Sequence, residues 1–123
     1  MILIDSSVWM DHFRKPNRRL MALLDAEEGC IHPFVIGEVA CGNLKNRKEI
    51  IALLHALPGV HKAGDDEILF FIERHGLNGR GMGLIDMHLL ASCLMDRCYL
   101  WTADKRLQAV AEELQIESSQ QGS

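Results

Sequence analysis

The feature that most constrains this chain is its opening, "MILIDSSVW". Met1 to Ile4 is apolar without a break, and the first polar side chain is Asp5. A strand with one wet face alternates apolar and polar positions, whereas a strand with no polar position needs cover on both faces. Helices on both sides of a sheet supply that cover. The run therefore predicts an α/β fold with a mainly parallel sheet.

The remaining pattern agrees. Ser6 or Ser7 is expected to cap a helix carrying Val8, Trp9, His12 and Phe13 at helical spacing, ended by Pro16. "NRRLMALLDAEEG" reads as a second helix, "CIHP" as a short strand and "FVIGEVACG" as a short helix. "RKEIIALLHAL" is amphipathic and stops at "PG"; Val60 to Ala63 reads as a weak strand. "DDEILFFIERHG" is a helix with an acidic first turn, which suits the helix dipole. "LIDMHLLASCLMD" is an apolar helix, "CYLWTAD" a strand running into a turn, and "DKRLQAVAEEL" the last helix. This reading gives one domain over residues 1–117 and a frayed, disordered tail over 118–123.

Composition narrows the function classes. The net charge of −4 argues against a DNA-coating protein, though a local basic groove stays open to it. The clusters "RKPNRR" and "KNRK" are such candidates, or else solvated helix ends. Cys30, Cys41, Cys93 and Cys98 lack the spacing of a zinc site and read as reduced core thiols of a cytosolic protein. No apolar run reaches membrane-spanning length, and "MILI" is too short for a signal peptide. "GLNGRGMG" lacks the Lys-Ser/Thr of a phosphate-binding loop, so it is expected to position the helix that follows. Trp9 and Trp101 are expected in the core and His88 on the surface.

In open α/β sheets, ligands sit at the carboxyl ends of strands. Two predicted strands deliver acids to that edge: the first Asp5, the fourth Asp104, preceded by the hydroxyl of Thr102. Each acid alone also reads as a turn or cap residue. Asp86 shares its helix face with Leu89, Leu90 and Cys93, so its charge needs a partner or a metal unless it merely faces solvent in the first turn. Glu38 is the only charged residue between Glu28 and Lys45, and a distant salt bridge is the alternative for it. Four convergent carboxylates would repel without a cation, and oxygen-only donors suit Mg²⁺ or Mn²⁺ better than zinc.

The stretches "ILIDSSVW", "VIGEVACG", "GLIDMHLLAS" and "LWTADKRL" resemble the signature of PIN-domain ribonucleases, and within them the VapC-type toxins of bacterial toxin–antitoxin pairs. The resemblance runs from Met1 to about Leu114. It implies a three-layer α/β/α domain with sheet order 3-2-1-4-5. It implies Mg²⁺-dependent RNA cleavage, a homodimer and a cognate antitoxin that inhibits it. Asp5, Asp86 and Asp104 would hold metal, Glu38 would be a ligand or orient water, and Ser6, Ser7 and Thr102 would support them. The alternative is a non-catalytic RNA-binding or regulatory module on the same fold. A phosphoaspartyl phosphatase would need an acid where Ser7 stands, and a receiver domain a pair of acids after the first strand.

Overall fold

The computed structural model describes residues 1–118. In chain order the elements are β1 (Ile2–Ile4), α1 (Ser6–Arg14), α2 (Arg18–Asp25), β2 (Gly29–Cys30) and α3 (Pro33–Ala40). They continue with α4 (Arg47–Ala56), α5 (Asp65–His75), α6 (Leu84–Asp96), β3 (Tyr99–Trp101) and α7 (Lys105–Glu113). The fold is α/β with a parallel sheet, as the opening run demands.

Every residue of β1 is buried, and β1 is the central strand. β2 pairs along one side (Ile2 with Gly29, Leu3 with Cys30) and β3 along the other (Leu3 with Leu100, Ile4 with Trp101). Gly29 sits in a close-packed spot where β2 begins. A Cβ there would come within 3.1–3.3 Å of Leu23 and Leu24 of α2 and of Ile4, because α2 closes directly on the sheet. α6 is buried from Met87 to Cys93, nearly all the way round, as expected of a helix packed into the core.

Several expectations need correction. Among the described residues the sheet has three strands, in the order β2-β1-β3, rather than five. In place of the strand over 60–63, a single parallel bridge joins Gly59 to Ile31, and a second joins Glu117 to Leu100. The 60–63 segment follows Pro58–Gly59 and has only Val60 and Ala63 as apolar residues, so little apolar burial rewards further pairing. "CIHP" is strand only at its start, because His32 already caps α3 and Pro33 takes its first position. Asp5, not Ser6 or Ser7, is the N-cap of α1. His88 is buried, Cys41 is exposed and Trp101 is half-buried beneath Arg19, whose guanidinium lies 4.3 Å above its ring. Ser118, counted with the tail, is buried and accepts a hydrogen bond from Arg19 at 3.2 Å. The rest of the expected tail, 119–123, lies outside the described residues.

Candidate active site

Parallel pairing sends β1 and β3 out of the sheet side by side, and the next residues on each meet. The Asp5 amide donates to the Trp101 carbonyl at 2.9 Å, one step past the last paired residues. Asp5 is only 6 % exposed, and its carboxylate is held from several sides. Oδ1 accepts from the Ser6 amide at 2.8 Å. Oδ2 accepts from the Ser7 hydroxyl at 2.8 Å and from the buried Thr102 hydroxyl at 2.7 Å. Ser7 in turn accepts the Ala103 amide, and Thr102 the Asp104 amide, each at 3.0 Å. The strand ends and the start of α1 are thus tied into one network around a buried charge.

The other acids arrive on helices. Glu38, on the last turn of α3, accepts from the Ser6 hydroxyl at 3.0 Å through Oε1. Partial burial pushes its carboxyl above the ordinary value; the Ser6 bond opposes that, and the charges of Asp5 and Asp86 add to it. Asp86, in the first turn of α6, accepts from the Gly83 amide at 3.2 Å. Burial pushes Asp86 up as well; the Gly83 bond opposes it, and the charges of Asp5 and Asp104 reinforce it. Asp104 caps α7, accepting from the Arg106 and Leu107 amides at 2.8 and 3.2 Å. Asp5, Glu38, Asp86 and Asp104 therefore feel one another across a common edge of the sheet.

The PIN-domain family model matches residues 2–113, a span that contains every one of these acids. The chain belongs to the PIN-domain family. It is also 43% identical, over 114 residues, to "Ribonuclease VapC32" of Mycobacterium tuberculosis, both in strain CDC 1551 / Oshkosh and in strain ATCC 25618 / H37Rv. The match covers 92% of this chain and 92% of each relative.

Within this PIN domain the donor set fits a hard cation by its chemistry, since it consists of carboxylate oxygens with no sulfur or imidazole among them. Asp86 Oδ1 and Glu38 Oε2 take no hydrogen bond from the described residues. Among the described residues, no three His, Cys, Asp or Glu side chains are gathered tightly enough to enclose an ion by themselves. A cation that keeps several of its waters and binds through one or two carboxylates needs no such cage. None of the four acids has an ion-pair partner among the described residues, so the distant salt bridge considered for Glu38 is not formed.

The cap readings and the site readings of Asp5, Asp86 and Asp104 turn out not to compete. Each carboxylate satisfies amides at a helix start and also faces the cluster, because helix N-termini and strand ends meet at this edge. Ser6, Ser7 and Thr102 each donate a hydroxyl hydrogen bond to Asp5 or Glu38. Of the basic cluster "RKPNRR", Arg14 pairs with Asp11 and Arg19 packs on Trp101.

Sequence reasoning missed the aromatic packet that joins α3 to α6. His32 is fully buried; its Nδ1 accepts the Phe34 amide at 2.9 Å, so the ring is neutral with its proton on Nε2. His88 packs against it with 5.9 Å between ring centres, and edge-on to Phe34 at 4.8 Å. Burial, followed by the nearby His88 and Lys62, lowers His32 to about 4. The available signal for His88 was its place among Leu89, Leu90, Ala91 and Ser92 in a helix with no wet face.

Proposed function

We propose that this PIN domain is a divalent-metal-dependent endoribonuclease, with Mg²⁺ as the cation and Mn²⁺ able to replace it. The observation that carries this reading is the convergence of Asp5, Glu38, Asp86 and Asp104 on the edge where β1 and β3 end. The similarity to proteins named ribonucleases supports RNA as the substrate. When bound, a divalent cation offsets charge on a phosphodiester and eases deprotonation of water.

The chain's own residues divide the remaining work. Asp5, fixed by Ser6, Ser7 and Thr102, offers a carboxylate whose geometry is set before substrate arrives. Asp86 and Asp104 present negative charge from two helix starts and so help retain the cation. Glu38 has its carboxyl held above the ordinary range and one oxygen unclaimed by the described residues, which suits it to orient a water and accept its proton. The reading extends to a cytoplasmic toxin that forms a homodimer and is neutralised by a cognate antitoxin. The acidic edge would attract an arginine or lysine of that antitoxin, since a guanidinium fork matches carboxylates well.

The test is cleavage of structured and unstructured RNA with Mg²⁺ or Mn²⁺. Asp5→Asn should abolish cleavage while leaving the circular dichroism spectrum unchanged, and excess chelator should silence the wild type. Cleavage that survives either change would overturn the reading. RNA binding without cleavage would favour the non-catalytic module.

A further inference from the structure

Three of the four cysteines meet inside the protein. Cys30 ends β2, Cys93 lies in the last turn of α6 and Cys98 stands just before β3; all three are buried. The Cys98 sulfur is in hydrogen-bond contact with the thiols of both Cys30 and Cys93. Any small apolar side chain fills such a position, so packing alone does not call for three sulfurs in contact.

The backbone aims two of them at each other. α6 stops where Arg97 turns into the left-handed region, at φ 53°. The Cys98 amide then folds back and donates to the Cys93 carbonyl at 3.0 Å. A helix end closed in this way brings the side chains of the first and last residues of the turn together. A disulfide needs two cysteines that face each other from neighbouring backbone, and this turn supplies them. An open cavity of about 200 Å³ reaches the pair, lined by Cys93 and Cys98 together with Arg97 and Tyr99. The bonds from Cys30 and then Cys93 push the Cys98 thiol below its ordinary value, against burial. The same contacts, with burial, push Cys30 and Cys93 up. Cys98 is therefore the thiolate of the cluster and its nucleophile.

We propose that Cys93 and Cys98 are a redox-active pair that hydrogen peroxide, entering by this cavity, converts to a disulfide. The Cys98 thiolate attacks one peroxide oxygen. The O–O bond breaks, hydroxide leaves and takes up a proton, and Cys98 becomes a sulfenic acid. The Cys93 sulfur then attacks the Cys98 sulfur, and the Cys93 proton leaves with the hydroxyl as water. Two thiols give up two electrons, and peroxide becomes two waters. Cys30 keeps its thiol. The bond fastens the end of α6 to the start of β3, at the opposite end of α6 from Asp86. It needs neither the carboxylates nor RNA, so it stands apart from the function proposed above.

Peptide mapping of the folded full chain tests it. The protein is treated with hydrogen peroxide, its remaining thiols are blocked with N-ethylmaleimide in acid denaturant, and it is digested with trypsin. Trypsin cuts after Arg97, between the two cysteines, so the bond appears as a cross-linked pair of peptides. The wild type should lose about 2 Da and yield the Cys93–Cys98 pair, and a thiol reductant should reverse both. Cys93→Ala should lose the cross-link and expose the intermediate, seen as a dimedone adduct on Cys98. Cys98→Ala should leave Cys93 reduced, and thermal melts of both variants check that the fold is kept. Exposed Cys41 serves as the internal control for oxidant. Cys93 and Cys98 that stay reduced in the wild type while Cys41 is oxidised would overturn the proposal. So would a cross-link that forms only in denaturant, or one that joins Cys98 to Cys30 instead. A Cys93→Ala protein with no adduct on Cys98 would overturn Cys98 as the attacking thiol.

Discussion

The two halves of the carboxylate cluster are built differently. The strand half, around Asp5, is closed: a buried carboxylate accepts from an amide and two hydroxyls, and those hydroxyls are themselves engaged. The helix half, Glu38 and Asp86, is open: each carboxylate takes one bond from a neighbouring residue, sits partly buried, and is pushed up in pKa by burial and by the other acids. A charge met by fixed donors is stabilised where it stands. A charge met mainly by like charges is a cost in the absence of a cation. On the function proposed above, the first half supplies position and the second affinity for a cation, so removing a group should have opposite effects on stability in the two halves.

Thr102→Val should break the closed half. It removes the shortest donor to a buried carboxylate and the acceptor for the Asp104 amide. The loss should be about 2 kcal/mol, in the range for hydrogen bonds to charged groups, and denaturant titration reads it. An unchanged midpoint would mean that Asp5 does not depend on this network.

Asp86→Asn should sharpen the contrast with the opposite sign. Asparagine can still accept the Gly83 amide, so the cap survives while the charge goes. In chelator near neutral pH the variant should melt above wild type by a few degrees, equivalent to about 1 kcal/mol. Millimolar Mg²⁺ should raise the wild-type melting point and move the variant much less. A variant less stable than wild type in chelator would make Asp86 a cap and nothing more.

The smallest effect is in pH. Raised carboxyls penalise the folded state as pH climbs through their unfolded values, and the penalty is complete above the folded ones; the advantage of Asp86→Asn should therefore vanish in acid. His32 acts the other way. Its folded value of about 4 lies below the ordinary histidine value of 6.5, so the unfolded chain takes up a proton first and stability falls as pH drops between those values. His32→Asn, which keeps an acceptor for the Phe34 amide, should flatten that part of the wild-type profile. A profile of unchanged slope would remove His32 from the account.

The opening run and the acids that follow strands and helix starts were enough to read the fold class and the candidate carboxylates, because local periodicity and chain direction are written residue by residue. The unbroken "MILI" demanded cover on both faces, and an acid after it had to emerge at the sheet edge. Sequence also placed Ser7 and Thr102 close to their acids along the chain. It could not decide between cap and site for Asp5, Asp86 and Asp104, since that choice assumed one role for each carboxylate, whereas the three-dimensional edge lets a capping carboxylate also face the cluster. It misjudged His88, whose neighbours come from α3, and it gave the 60–63 segment a strand that the sheet does not extend to form. Those outcomes depend on contacts between residues far apart in the chain, and the free energy of such contacts is fixed only once packing has chosen which faces meet.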